Sequence, residues 1–169
     1  MSPTANLAAT AALEHFTATL AELLLSNDEV RRLFGHPEVR NLFLWHALEE
    51  SEHKAVAFDV YKAVGGSERT RVVTMNIITA GFLVGMTVQV VASLLLDKAT
   101  YRRGSLRRSL GRFLRSPIVD RALWRQLRDY NRRDFHPDDR DTGQLVEQWR
   151  NDLFGQEGTL VDKLATTAA

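Results

Sequence analysis

Within "LWHALEESEHK", Leu44 to Lys54, two histidines and three glutamates fall in eleven residues. At about 100° per residue His46, Glu49, Glu50 and His53 share an arc of roughly 100° on one helix, whereas Glu52 points well away. Nitrogen and oxygen donors on one face suit a divalent iron, zinc or manganese ion. Glu50-x-x-His53 has the spacing used in di-metal carboxylate bundles, and His46-x-x-Glu49 is its mirror. A metal-bound water with a free carboxylate as general base gives hydrolysis, with Glu49 and Glu50 as the catalytic candidates. The same ligands around two irons give an oxygenase or oxidase acting on an apolar substrate, and spacing does not separate the two reactions.

Which way the cluster faces decides its worth. Val39, Leu42 and Phe43 before it and Ala57, Val60 and Tyr61 after it lie on the same line, so the cluster reads as an interruption of a core-facing stripe, where carboxylates need partners. Leu44, Leu48, Ala55 and Phe58 form a second stripe on roughly the opposite side, which leaves open a solvated cluster. On the first helix, Glu14 is flanked on its own face by Leu7, Ala11, Ala18, Ala21 and Leu25, which makes it a candidate facing ligand. His15, about 100° further round, reads as a packing or supporting residue.

These residues need helices to hold them. The spacing predicts a helix from about Ala5 to Leu25, a short one over Asp28–Phe34, and an unbroken one from Pro37 to Val64 ending at Gly65-Gly66. An apolar helix follows over about 67–97, then basic amphipathic helices over about 105–133, and a C-terminal helix over about 141–154. Residues 155–169 read as a flexible tail. No strand-period segment or repeat occurs, so the class is all-α, as a single helical domain over 1–154. The absence of cysteine in 169 residues excludes disulfides, thiolate metal sites and cysteine nucleophiles. The net charge of +1 hides segregation: residues 98–133 carry twelve basic and two acidic side chains, and residues 134–169 three basic and eight acidic. Such a basic block suits an anionic surface, and without aromatic interleaving or a recognisable motif it does not suit nucleic acid. "MSPTANLAAT" has neither a charged n-region nor an apolar h-region, so a cytoplasmic location is expected.

"VVTMNIITAGFLVGMTVQVVASLLL", Val72 to Leu96, is 25 residues without a charge and contains Gly81-x-x-x-Gly85. It reads as a helix buried at the centre of a bundle, ahead of a bilayer span flanked by Arg69, Arg71, Lys98, Arg102 and Arg103. The arginine-rich stretch after it, with Leu106, Leu110, Phe113 and Leu114 opposite its charges, can rest on anionic lipid and make the protein membrane-associated. In "FHPDDRD", His136 and the aspartates read as turn and cap chemistry.

"LAATAALEHFTATLAELLL", "LWHALEESEHKAVAFDVYKAVGG" and "FHPDD" together resemble a family of bacterial predicted metal-dependent hydrolases. The resemblance runs from about Leu7 to Trp149. It implies a ferritin-like partial bundle with long helices, and metal binding by Glu14, His46, Glu49 or Glu50, and His53. It also implies that the chain matches the family's C-terminal part and lacks its N-terminal segment with a further ligand helix. Two chains would then assemble as a homodimer that completes the metal site around a small-molecule substrate, or the chain is a non-catalytic membrane-associated helical scaffold.

Overall fold

Helix α1 (Pro3–Ser26) starts where the sequence supplies two start signals, Pro3 at the first helical position and Ser2, whose Oγ accepts from the Ala5 amide at 3.2 Å. Asn27 ends it and caps the single turn α2 (Asp28–Arg31), its Oδ1 accepting from Glu29 N at 2.8 Å. Pro37 opens α3 (Pro37–His53). The structure, a computed structural model, describes residues 2–102 and 104–163.

The expected continuous helix to Val64 does not form. Lys54 and Ala55 turn the chain, and α4 (Val56–Ala63) restarts it. No proline or glycine causes the break; tertiary contacts hold it. Ala55 has no side chain able to cap α4, and the Glu14 carboxylate reaches across from α1 to accept from Ala57 N at 3.2 Å. Lys54 donates to the Arg140 carbonyl at 2.6 Å and to Thr142 Oγ1 at 3.1 Å. At its other end α4 closes in a Schellman turn: Gly66 N donates to Tyr61 O at 2.9 Å, and Gly65 takes φ 78°. Gly66 is required by space as well, because a Cβ there would lie 2.3 Å from the Tyr61 ring.

Helix α5 (Glu68–Leu96), capped by Ser67, is followed by a 3-10 turn at Lys98–Tyr101, α6 (Ser105–Leu114), α7 (Arg121–Asp129) and α8 (Gly143–Phe154). Among the described residues there is no strand, and the all-α class holds. Helix α1 is the spine of two buried clusters. Around its N-terminal half, Ala11, Ala12 and Phe16 pack with Ala57 and Phe58 of α4, Met75 of α5, Leu127 of α7, Tyr130 and Phe135. Around its C-terminal half, Ala21, Leu24 and Leu25 pack with Leu44, Ala47 and Leu48 of α3 and Leu153 of α8. This order makes α1 and α3 antiparallel. Each fully buried leucine contributes about 1.5–3 kcal/mol.

Four expectations need correction. The buried side of α3 is Leu44, Ala47, Leu48 and Ser51, and Val39, Leu42 and Phe43 are exposed. The polar cluster therefore interrupts no core stripe, because the break at Lys54–Ala55 resets the helical phase and buries Ala57 and Tyr61 independently. Helix α5 is not central: its buried residues are Arg71 and Met75, and every residue from Ala80 to Val91 is exposed. It is long and apolar enough to cross a membrane. Arg71 is no flanking charge. It is wholly buried, donates to the carbonyls of Tyr130 and, at 2.7 Å, Arg132, pairs with Glu68 at 2.7 Å, and lies 4.9 Å above the Tyr130 ring. Arg103, on the expected opposite flank, lies outside the described residues. Finally, residues 155–163 do not trail away: Leu160 packs on the second cluster and its amide donates to Leu153 O at 2.8 Å. Residues 164–169 lie outside the described residues.

Candidate functional site

The antiparallel register sets Thr17 of α1 opposite Glu50 of α3, and the Thr17 hydroxyl donates to Glu50 Oε2 at 2.5 Å. The hydroxyl also lies 3.1 Å from the Glu14 carbonyl, but it has one proton, and the carboxylate is the closer and charged acceptor. Glu50 is thereby held with its other oxygen 3.4 Å from His46 Nε2, and the Nδ1 of the same ring is 3.9 Å from Glu49. Burial grades along this row. The Glu50 side chain is 24% exposed, and those of His46 and Glu49 about half exposed, at 51% and 48%. His53 is exposed at the end of α3.

His46 and Glu50 form part of the wall of an apolar groove of about 290 Å³ between α1, α2 and α3. Leu20, Leu24, Val30, Phe34 and Phe43 line it, and Ser116 and Pro117 contribute from beyond α6. This is the form of a small ligand site, a mostly apolar cleft with a few polar groups at one place. Thr17 and the groove's apolar wall were missed by sequence reasoning. The signal lay in Val39, Leu42 and Phe43: their phase with His46, taken for a core stripe, includes the groove residue Phe43.

The other candidate residues do different work. Glu14 caps α4, as described. His15 is buried, with Nε2 3.1 Å from the Gln126 carbonyl and its ring against Tyr130 and Phe135. Burial lowers its pKa to about 4, and the contact with Gln126 offsets only part of that. His15 borders a second, polar cavity of about 100 Å³ with Thr19, Glu22, Ser51 and Lys54, a setting suited to ordered water. His136 caps the 3-10 turn Pro137–Asp139, its Nδ1 accepting from Asp138 N at 3.2 Å, and its Nε2 lies 2.9 Å from Asp59. Because Nδ1 accepts, the proton belongs on Nε2, and a neutral imidazole satisfies both contacts.

A family profile described as predicted metal-dependent hydrolase matches residues 1–141. The chain belongs to that family. No curated protein and no solved structure matches it. Membership implies a metal, and the donor geometry tests the implication. A catalytic zinc takes three protein ligands, commonly with an open position for water. Among the described residues no group of three or more His, Asp or Glu side chains is placed to hold a metal ion. His46, Glu49 and Glu50 come together on one helix, Glu14 is engaged by the α4 amide, and His53 stands at the helix end. The donor set of this hydrolase-family chain, in this conformation, does not fit a catalytic metal.

Proposed function

We propose that the chain is a hydrolase acting on a substrate with an apolar chain, which lies in the groove between α1 and α3 with its reactive group beside His46 and Glu50. One observation carries this reading, the placement of a His–carboxylate pair in the wall of an otherwise apolar cleft. Thr17 fixes Glu50, Glu50 faces Nε2–H of a neutral His46 and so orients the ring, and the free Nδ1 of His46 takes a proton from a water whose hydroxide attacks the substrate carbonyl, the proton passing on to the leaving group. Glu49 lies 3.9 Å from Nδ1 on the open side of the ring. No step here passes through a metal. The metal that the family description implies, iron, zinc or manganese by the nitrogen and oxygen donors present, would draw on His46, Glu49 and Glu50. Its remaining donors would come from a second copy of the chain, or from Glu14 and His53 after a shift at the α3–α4 joint. A di-iron oxygenase would draw on the same set.

A non-catalytic helical scaffold is the second reading, supported by the lack of a three-donor group and by the exposed apolar helix. The test is hydrolysis of p-nitrophenyl esters of increasing acyl length, with metal content and oligomeric state measured on the same preparation. The expected result is activity that rises with chain length, falls at least tenfold in Glu50→Gln and His46→Ala, and loses its length preference in Phe43→Ala. Bound metal that disappears in His46→Ala would place the ion on this wall. No turnover of any ester, with or without added Fe, Zn or Mn, would leave the scaffold.

A further inference from the structure

Two apolar surfaces that the chain itself leaves bare adjoin each other in sequence. From Ala80 to Val91 every residue of α5 is exposed, Phe82 resting in part on Phe16 of α1 and the turns beyond it open all round, with Val84 and Val88 more than 60% accessible, and Leu95 and Leu96 continue the exposure. On α6, Leu106, Leu110, Phe113 and Leu114 occupy one side and are each more than half exposed, while Arg108, Arg112 and Arg115 occupy the other and Arg107 stands at the margin beside Leu114. We propose that α5 beyond Ala80 and α6 form an arm that docks the protein, from one side, on an anionic lipid bilayer.

The environment has to be apolar all round α5. A second copy covers one side of such a helix and leaves the other in water, whereas lipid surrounds it. Helix backbone needs no outside partner, and the Thr87 hydroxyl is satisfied within the helix by Leu83 O at 2.7 Å, so both can enter hydrocarbon. Charge selects the lipid. Residues 98–116 contain seven basic and no acidic side chains. Paired face to face in a symmetric dimer these charges repel, while anionic headgroups attract each of them.

Topology makes the docking one-sided. After α6 the chain returns to the body: Ser116 and Pro117 line the α1–α3 groove, and Leu127 of α7 lies in the cluster around α1. A full crossing by α5 would put α6 on the far side and oblige the chain to come back with its arginines through the hydrocarbon. Instead α5 sinks beneath the headgroups, and α6 lies at their level with leucines down and arginines toward phosphate. This inference goes beyond the hydrolytic reading and stands without it.

The test is co-flotation of the full chain with phosphatidylcholine vesicles, with and without 30% phosphatidylglycerol. Strong flotation with the anionic vesicles is expected, falling at least tenfold when Arg107, Arg108, Arg112 and Arg115 are all replaced by serine. Val84→Glu with Val88→Glu should abolish flotation on both vesicles, and these exposed positions leave the thermal melt of the body unchanged. Since the chain has no cysteine, Thr100→Cys supplies a single label site in the 3-10 turn after α5. It should react with an impermeant maleimide added outside the vesicles. Protection of that site would show a span and overturn the one-sided arm. So would failure to float, as would a lipid-free dimer that Val84→Glu dissociates, which would give the face to a second copy.

Discussion

Helix α5 is one element with two surroundings. Its first turns carry Arg71 and Met75, sealed between α1, α4 and the Tyr130–Phe135 segment, while its later turns touch the body at Phe82, against Phe16 of α1, and are otherwise largely exposed. The composition of the two parts is the reverse of what burial by hydropathy would give: the sealed part holds a guanidinium, and the bare part holds valines, leucines and glycines. Burial here follows available partners. Carbonyls of Tyr130 and Arg132 and the Glu68 carboxylate accept from Arg71, so a buried charge is tolerated, while most of the apolar run, past the contact of Phe82 with Phe16, is left uncovered. An apolar segment states that it leaves water; it does not state for what.

The largest effect should come from breaking the sealed part. Arg71→Ala removes a buried cation and strands the Tyr130 and Arg132 carbonyls, while Glu68 keeps Lys62, and is expected to cost about 3–5 kcal/mol, which lowers the melting temperature by about 10 °C. Arg69, two residues away and exposed, should change stability by less than about 0.5 kcal/mol when replaced by alanine. Thermal unfolding followed by circular dichroism separates them; equal effects would mean that Arg71 is not sealed.

The packed region should also titrate where the arm does not. His15 has a folded pKa of about 4 against about 6.5 unfolded, because burial disfavours its charged form. As pH falls the unfolded chain takes the proton first. The stabilisation is therefore complete above about pH 6.5, is lost as pH drops toward 4, and amounts to something on the order of 3 kcal/mol. Urea unfolding of wild type and His15→Phe between pH 7 and 4 should show a slope in the first that the second lacks. Parallel curves would remove His15 as the cause.

Within α5 itself the contrast can be measured on matched truncations. Met75→Ala, at a buried site, should cost about 2–3 kcal/mol, and Leu83→Ala, in the bare part, less than about 0.5 kcal/mol in lipid-free buffer. A comparable loss at Leu83 would show that something covers it in solution.

The sequence made the all-α class legible, together with the starts of α2, α3 and α5, because Asn27, Pro37 and Ser67 act locally through caps and fixed dihedrals, whereas the caps at Ser2 and Asp120 went unread. The His46–Glu49–Glu50 grouping was legible for the same reason, since it needs only the helical repeat. What lay beyond reading was whatever depends on a second element. The α3–α4 break has no breaker in "HKAV" and exists through Glu14 and Lys54. Thr17 reaches Glu50 only once α1 and α3 are antiparallel. The burial of α5 could not be read because apolar periodicity is the same beside protein as beside lipid.

Glu14 gives the smallest and most specific expected effect. Its carboxylate accepts from Ala57 N at 3.2 Å and so takes the place of a missing N-cap on α4, a role worth about 1 kcal/mol. Glutamine keeps an acceptor oxygen of nearly the same reach but is a poor metal ligand, while alanine keeps neither property. If capping is the role, Glu14→Gln should stay within a few tenths of a kcal/mol of wild type and Glu14→Ala should lose about 1 kcal/mol, with the α4 amides exchanging hydrogen faster in the alanine variant alone. If Glu14 instead turns to a metal on the α3 wall when one binds, the two variants should be equally depleted of metal despite their unequal stability. The joint between α3 and α4 would then be where metal binding and helix capping compete for one carboxylate, and adding metal should speed exchange at Ala57 in wild type but not in Glu14→Gln.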